Sequence, residues 1–142
     1  MAKKPKIKPS EKIAARVLKR PVNDIVFDAM LRYGTYTVED RAVPAQDGLK
    51  PVQRRILWAM NELGAKDHGY KTKCAKVVGQ TMGSYHPHGD LSIYDALVRL
   101  VTSIPYPIIH GEGNFGSHND PPAAYRYTTC HFTKFGYKIY FD

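Results

Sequence analysis

Apolar side chains recur at helical spacing in five stretches of this chain, most of them bounded by residues that start or stop helices. The first opens near Ser10, carries Ile13, Val17 and Leu18 on one side, and is interrupted by Pro21. The second, from Asn23 to about Tyr36, places Ile25, Ala29 and Tyr33 at four-residue spacing, with Asn23 or Asp24 as its candidate cap. The third is the clearest. Pro51 suits its first turn, Val52, Ile56, Ala59, Met60 and Leu63 form its stripe, and Gly64 is its stop signal. Thr72 then caps a short helix holding Cys74, Val77, Val78 and Met82, ended by Gly83. After the turn His86-Pro87-His88-Gly89, Asp90 is the predicted cap of a helix whose inner face is Ile93, Leu97, Leu100 and Val101.

The connections are predicted as a loop at residues 40–50, which holds Pro44 and an Asp-Gly pair, and a polar segment at 65–71. Beyond Thr102 the texture changes to prolines, glycines and aromatics. Residues 104–109 read as a strand, 111–122 as an irregular loop, and 125–132 as a second strand or the start of a helix. Three short helices joined by tight turns fit a helix-turn-helix, whose last helix is the usual groove reader. An appended hairpin makes this a winged helix, mainly α with a small β wing.

Composition narrows the class. The 142 residues are 43% hydrophobic and 24% charged, the balance of one globular domain with a single core. No run approaches the roughly 18 apolar residues of a membrane span, and the N-terminus lacks a signal-peptide core, so a soluble intracellular protein without a membrane partner is expected. Cys74 and Cys130 alone make neither a disulfide framework nor a zinc site, and both read as reduced thiols.

The net charge of +8 is concentrated at one end. Residues 1–20 hold eight basic side chains against Glu11, which leaves the remaining chain at +1. The charge therefore describes a basic arm (1–20) ahead of a nearly neutral domain (21–142).

Several clusters carry candidate chemistry. Gly111-Glu-Gly113-Asn-Phe-Gly116 matches the dinucleotide-binding glycine pattern, yet the pattern requires a helix at the glycines, and Pro121-Pro122 follow too soon. These glycines instead mark sharp turns or close approach. His86, His88 and Asp90 make a weak metal set, and no metal ligands are assigned; at a helix N-terminus the imidazoles suit an anion better. Lys50, Arg54 and Arg55 bracket the start of the 51–63 helix, and Arg41 lies in the loop before it. A guanidinium fork suits phosphate.

Together, DGLKPVQRR at 47–55, YHPHGD at 85–90, GEGNFGS at 111–117 and AAYRYT at 123–128 resemble, in order, the breakage-reunion subunit of type IIA DNA topoisomerases. These are the gyrase A type, its topoisomerase IV counterpart and related phage proteins, and the similarity covers roughly residues 25–142. The resemblance implies a winged-helix DNA-cleavage domain with Tyr127 as nucleophile, forming a 5′-phosphotyrosyl link and freeing a 3′-hydroxyl. Arg126 matches the companion arginine. Arg41, Arg55, His86 and His88 match positions around the cut phosphate, Lys50 a backbone-phosphate contact, and the 90–102 helix the groove-facing helix.

The same resemblance implies double-stranded DNA as partner, a two-fold assembly, and a Toprim/ATPase subunit of gyrase-B type. That partner would supply both Mg2+ and ATP, since this chain has neither an acidic cluster nor a phosphate-binding loop. The expected location is the bacterial or phage-infected cytoplasm, with the nucleoid. The family's tower and coiled-coil gate lie beyond Asp142. Leu91 replaces the small hydroxyl residue of the fluoroquinolone site, while Asp95 fits its second position; weak drug sensitivity is expected. The rival reading is a non-enzymatic DNA-binding or decoy module on the same fold.

Overall fold

The structure, a computed structural model, describes residues 19–65, 70–103 and 105–141. The helical pattern around Ile13, Val17 and Leu18 and nearly all of the basic arm lie outside the described residues. The chain divides into two compact units, Met1–Tyr36 and Thr37–Asp142.

In the first unit, α1 (Val22–Tyr36) takes up the expected stretch, with Asn23 and Asp24 inside its first turn rather than capping it. Arg20 pairs with Asp28 at 2.6 Å.

The second unit is a winged helix. It opens with a π-helical turn (Thr37–Ala42), which shortens the loop expected over residues 40–50. The rest of that loop closes on itself through Gly48, at φ 75°, and a 3.0 Å bond from the Leu49 amide to the Asp47 carboxylate. Helix α2 (Pro51–Glu62) begins at Pro51, and the Gln53 side chain accepts from the Lys50 amide at 2.8 Å. Its end follows the glycine signal. Gly64 is left-handed, its amide donates to Asn61 O and the Ala65 amide to Met60 O, the paired bonds of a Schellman motif.

Helix α3 (Cys74–Ser84) runs through Gly83 rather than stopping there. Thr72 does not cap it. Thr72 and Lys73 form a short strand, β1, and Lys73 stands at the cap position. A turn through residues 85–89 leads to α4 (Asp90–Thr102), completing the helix-turn-helix. Ile56 and Met60 of α2, Val77 of α3, and Ile93, Leu97 and Leu100 of α4 are fully or almost fully buried. The three helices pack against one another around these side chains.

Strand β2 (Ile109–Glu112) lies later than the strand expected at 104–109, and β3 (Thr129–Phe132) settles the ambiguity over 125–132 in favour of a strand. Both pair antiparallel, with Ile109 opposite Phe132 and Glu112 opposite Thr129. The order β1-β3-β2 puts β3 in the centre, where Cys130 and Phe132 turn into the core. Helix α5 (Lys134–Phe141) was not legible in the pattern. Thr133 caps it through the Gly136 amide at 2.9 Å, and Phe141 closes on Phe132 at 5.3 Å between ring centroids.

The connection from β2 to β3, residues 113–128, is the wing loop. Gly111 enters it so closely that a Cβ there would strike Phe115 and Val101, and Gly116 turns at φ 91°. The glycine pattern thus serves close packing and a turn rather than a nucleotide cradle.

Candidate active site

Two groups of candidate residues sit on this frame. The first is at the end of the wing loop, where a turn closed by the Tyr127 amide on Ala124 O (2.9 Å) carries Arg126 and Tyr127 outward. Tyr127 is 67% exposed, which leaves its phenol open to a macromolecular partner. The Arg126 guanidinium carbon lies 4.8 Å from the Tyr127 ring centroid. A hydrogen bond from that guanidinium, reinforced by its charge, holds the Tyr127 phenol below its ordinary pKa. The same partnership raises Arg126. The pair thus joins a phenol eased toward its phenolate and a cation beside it.

The turn is suspended from α4. The Tyr94 hydroxyl donates to Ala123 O at 2.7 Å and lies 3.2 Å from Thr128 Oγ1, while the Tyr125 hydroxyl donates to Asp90 Oδ2 at 2.8 Å. Tyr94 and Tyr125 also meet edge to face at 5.7 Å. Asp90 makes no side-chain cap on α4, where Gly89 occupies the cap position; its carboxylate is used by Tyr125 instead. Sequence reasoning missed Tyr94 and Tyr125 as site residues. The available signal was the four-residue spacing of Asp90 and Tyr94, which puts both on one face of α4.

The second group gathers at the turn between α3 and α4. Arg55 Nη1 lies 2.7 Å from His86 Nδ1. A guanidinium only donates, so Nδ1 is the acceptor and the neutral ring carries its proton on Nε2. His86 stacks on His88 with centroids 4.3 Å apart. Burial, and then the charges of His88, Arg55 and Arg41, hold His86 below its ordinary pKa. The preceding residue is anchored too: Tyr85 hydrogen-bonds Glu62 of α2, which raises the phenol above its usual value. Arg41, Arg55, His86 and His88 therefore share one electrostatic neighbourhood with an imidazole kept neutral, suited to binding and polarising a phosphate.

Lys50 and Asp95 line a depression of about 260 Å³ with Gln53, Ser92 and Arg99. Arg54 is placed differently from Arg55. Its guanidinium reaches back to Asp47 at 2.6 Å, an ion pair that lowers the Asp47 pKa. Leu91 is 68% exposed on α4. Among the described residues, no three His, Cys, Asp or Glu side chains converge to hold a metal ion. None of the helices is long and apolar enough to cross a membrane among the described residues.

Residues 41–142 match the model of the DNA gyrase/topoisomerase IV family, in its A-subunit branch. The chain is 49% identical over 122 residues to the DNA gyrase A protein of Thermotoga maritima, covering 83% of this chain and 15% of that protein. It is 58% identical over 102 residues to the DNA topoisomerase 4 A protein of Synechocystis, covering 69% of this chain and 11% of the relative. A third relative, the DNA gyrase A protein of Treponema pallidum, is 57% identical over 104 residues, 70% of this chain and 13% of the relative. The chain thus spans only a small part of the length of these relatives. A family match over most of the chain, on a winged helix that presents an arginine-tyrosine pair, places it in one group: the chain belongs to the family of DNA gyrase/topoisomerase IV A-type subunits.

Proposed function

We propose that this chain binds duplex DNA and cuts it transiently through Tyr127, as the winged-helix part of a type II topoisomerase. The observation that carries the reading is the exposed Tyr127 phenol with the Arg126 guanidinium carbon 4.8 Å from its ring centroid. In the proposed step the Tyr127 oxygen attacks a backbone phosphorus. The new O–P bond forms as the bond to the 3′ oxygen breaks, the phenol proton passes to solvent or a base, and the departing oxygen gains a proton as the 3′-hydroxyl. Because a phosphodiester is exchanged for a phosphodiester, reversal reseals the strand without further energy input.

The chain's own groups divide the remaining work. Arg126 favours the phenolate and stabilises charge on the phosphate oxygens. Arg41, Arg55, His86 and His88 bind the phosphate region, with His86 Nε2–H free to donate. Lys50 contacts the DNA backbone, and α4 is the helix that enters the groove. Magnesium and ATP belong in this reading to a Toprim/ATPase partner of gyrase-B type, in a two-fold assembly in which each Tyr127 cuts one strand.

The test is detection, on a denaturing gel, of protein joined to labelled duplex DNA in the presence of magnesium and a Toprim/ATPase partner of gyrase-B type. An adduct formed by this chain and lost in Tyr127→Phe supports the reading. Salt-sensitive DNA binding without any adduct would instead make the chain a DNA-binding module on the same fold.

A further inference from the structure

We propose that Asp90 and Tyr125 are positioning residues for the cleavage step, their hydrogen bond tying the turn that carries Tyr127 to the groove-facing helix. The inference rests on the reading of Tyr127 as nucleophile and adds to it the device that aims it.

Three hydrogen-bond contacts among the described residues tie the turn at residues 123–128 to α4: Ala123 O and Thr128 Oγ1 on the Tyr94 hydroxyl, and Tyr125 on Asp90. The two outer contacts bracket the turn. The Asp90 contact holds its middle, two residues from Tyr127, and is the only one of the three with an ionised partner, a phenol donating to a carboxylate at 2.8 Å. Asp90 is free for this because Gly89, not Asp90, occupies the cap position of α4. Arg126 and Tyr127 alone in the turn then face outward.

The bond also sorts two neighbouring phenols. Asp90 raises Tyr125 above its ordinary pKa, whereas Arg126 lowers Tyr127, so Tyr125 remains a protonated donor while Tyr127 is the phenol eased toward ionisation. Since both anchors come from one face of α4, any seating of that helix in a groove is carried directly to the attacking oxygen. In-line attack tolerates little misplacement: about 1 Å costs on the order of 10²-fold in rate.

The experiment compares the full chain with Tyr125→Phe, Asp90→Ala and Asp90→Asn, using magnesium, labelled duplex DNA and a Toprim/ATPase partner of gyrase-B type. The single-turnover rate of adduct formation at saturating DNA is expected to fall about 10- to 100-fold in Tyr125→Phe and Asp90→Ala. DNA affinity by fluorescence anisotropy should stay within about twofold, as loss of aim rather than of binding requires. Asp90→Asn keeps an acceptor oxygen and should retain a rate within about threefold of the parent. An unchanged rate in Tyr125→Phe, or affinity lost in step with rate, would overturn the proposal. Backbone 15N relaxation at Arg126 and Tyr127 gives a readout independent of cleavage: these amides should loosen in Tyr125→Phe and not in Asp90→Asn. If the parent forms no adduct, the nucleophile reading fails on its own. Unaltered relaxation in Tyr125→Phe would then overturn the positioning role separately.

Discussion

Arg55 donates from Nη1 to Nδ1 of His86 across 2.7 Å, joining α2 to the turn before α4 and committing that imidazole to a neutral, Nε2-protonated form. The contact spans 31 residues of sequence, and it converts two ordinary polar side chains into one oriented donor.

Removing the guanidinium should therefore be visible at the ring. Arg55→Ala is expected to raise the His86 pKa, though not fully to its ordinary value, because burial and His88 remain. Histidine NMR titration reads this directly. The sign for stability follows: the folded value lies below the unfolded one, so the stability His86 contributes is full above about pH 6.5 and is lost as pH falls through that value toward the folded pKa. Arg55→Ala should flatten that acid-side dependence in denaturant unfolding.

Arg126 acts on Tyr127 by hydrogen bond and by charge, so Arg126→Ala should return the Tyr127 phenol toward its ordinary pKa near 10. Titration of ring-labelled tyrosine by NMR, with Tyr127→Phe to assign the signal, measures the change. Adduct formation should drop on the order of 10²-fold, the scale of losing one preorganised donor at a developing negative charge.

The ion pair between Arg54 and Asp47 makes a contrary prediction for neighbouring arginines. Asp47→Asn keeps the acceptor for the Leu49 amide but releases Arg54 from its partner. Anisotropy across a salt series should show tighter DNA binding at low salt and a log–log slope steeper by about one, as one further counterion is displaced. The pair lies at the surface, where solvent screens it, so thermal stability should scarcely move.

Leu97 is completely buried on the inner face of α4. Leu97→Ala should destabilise the domain by about 2–5 kcal/mol, measured by denaturant unfolding, through lost burial and the cavity left behind. Because α4 carries Asp90 and Tyr94, the same variant should also weaken adduct formation.

Local chemistry alone determined much of this protein. The α2 stripe, its Pro51 start and Gly64 stop are decided within a turn or two of chain, where periodicity and backbone preference act without help from distant residues. The helix-turn-helix of α3 and α4 was legible for the same reason, and the four ordered motifs carried Tyr127, Arg126 and their family. Strand limits were not: β1 is a two-residue strand that exists because Cys130 and Thr129 of β3 lie beside it, and pairing across the sheet has no local signature. Helix α5 was hidden because eight residues interrupted by Gly136 form a poor helix alone and depend on packing against Phe132. Only the tertiary structure gave Asp90 to Tyr125 rather than to its own helix end, and Arg54 to Asp47 while Arg55 went to His86. A side chain's partner is chosen by what folding brings within about 3 Å of it, and that distance is set by the packing of whole elements rather than by neighbours in sequence.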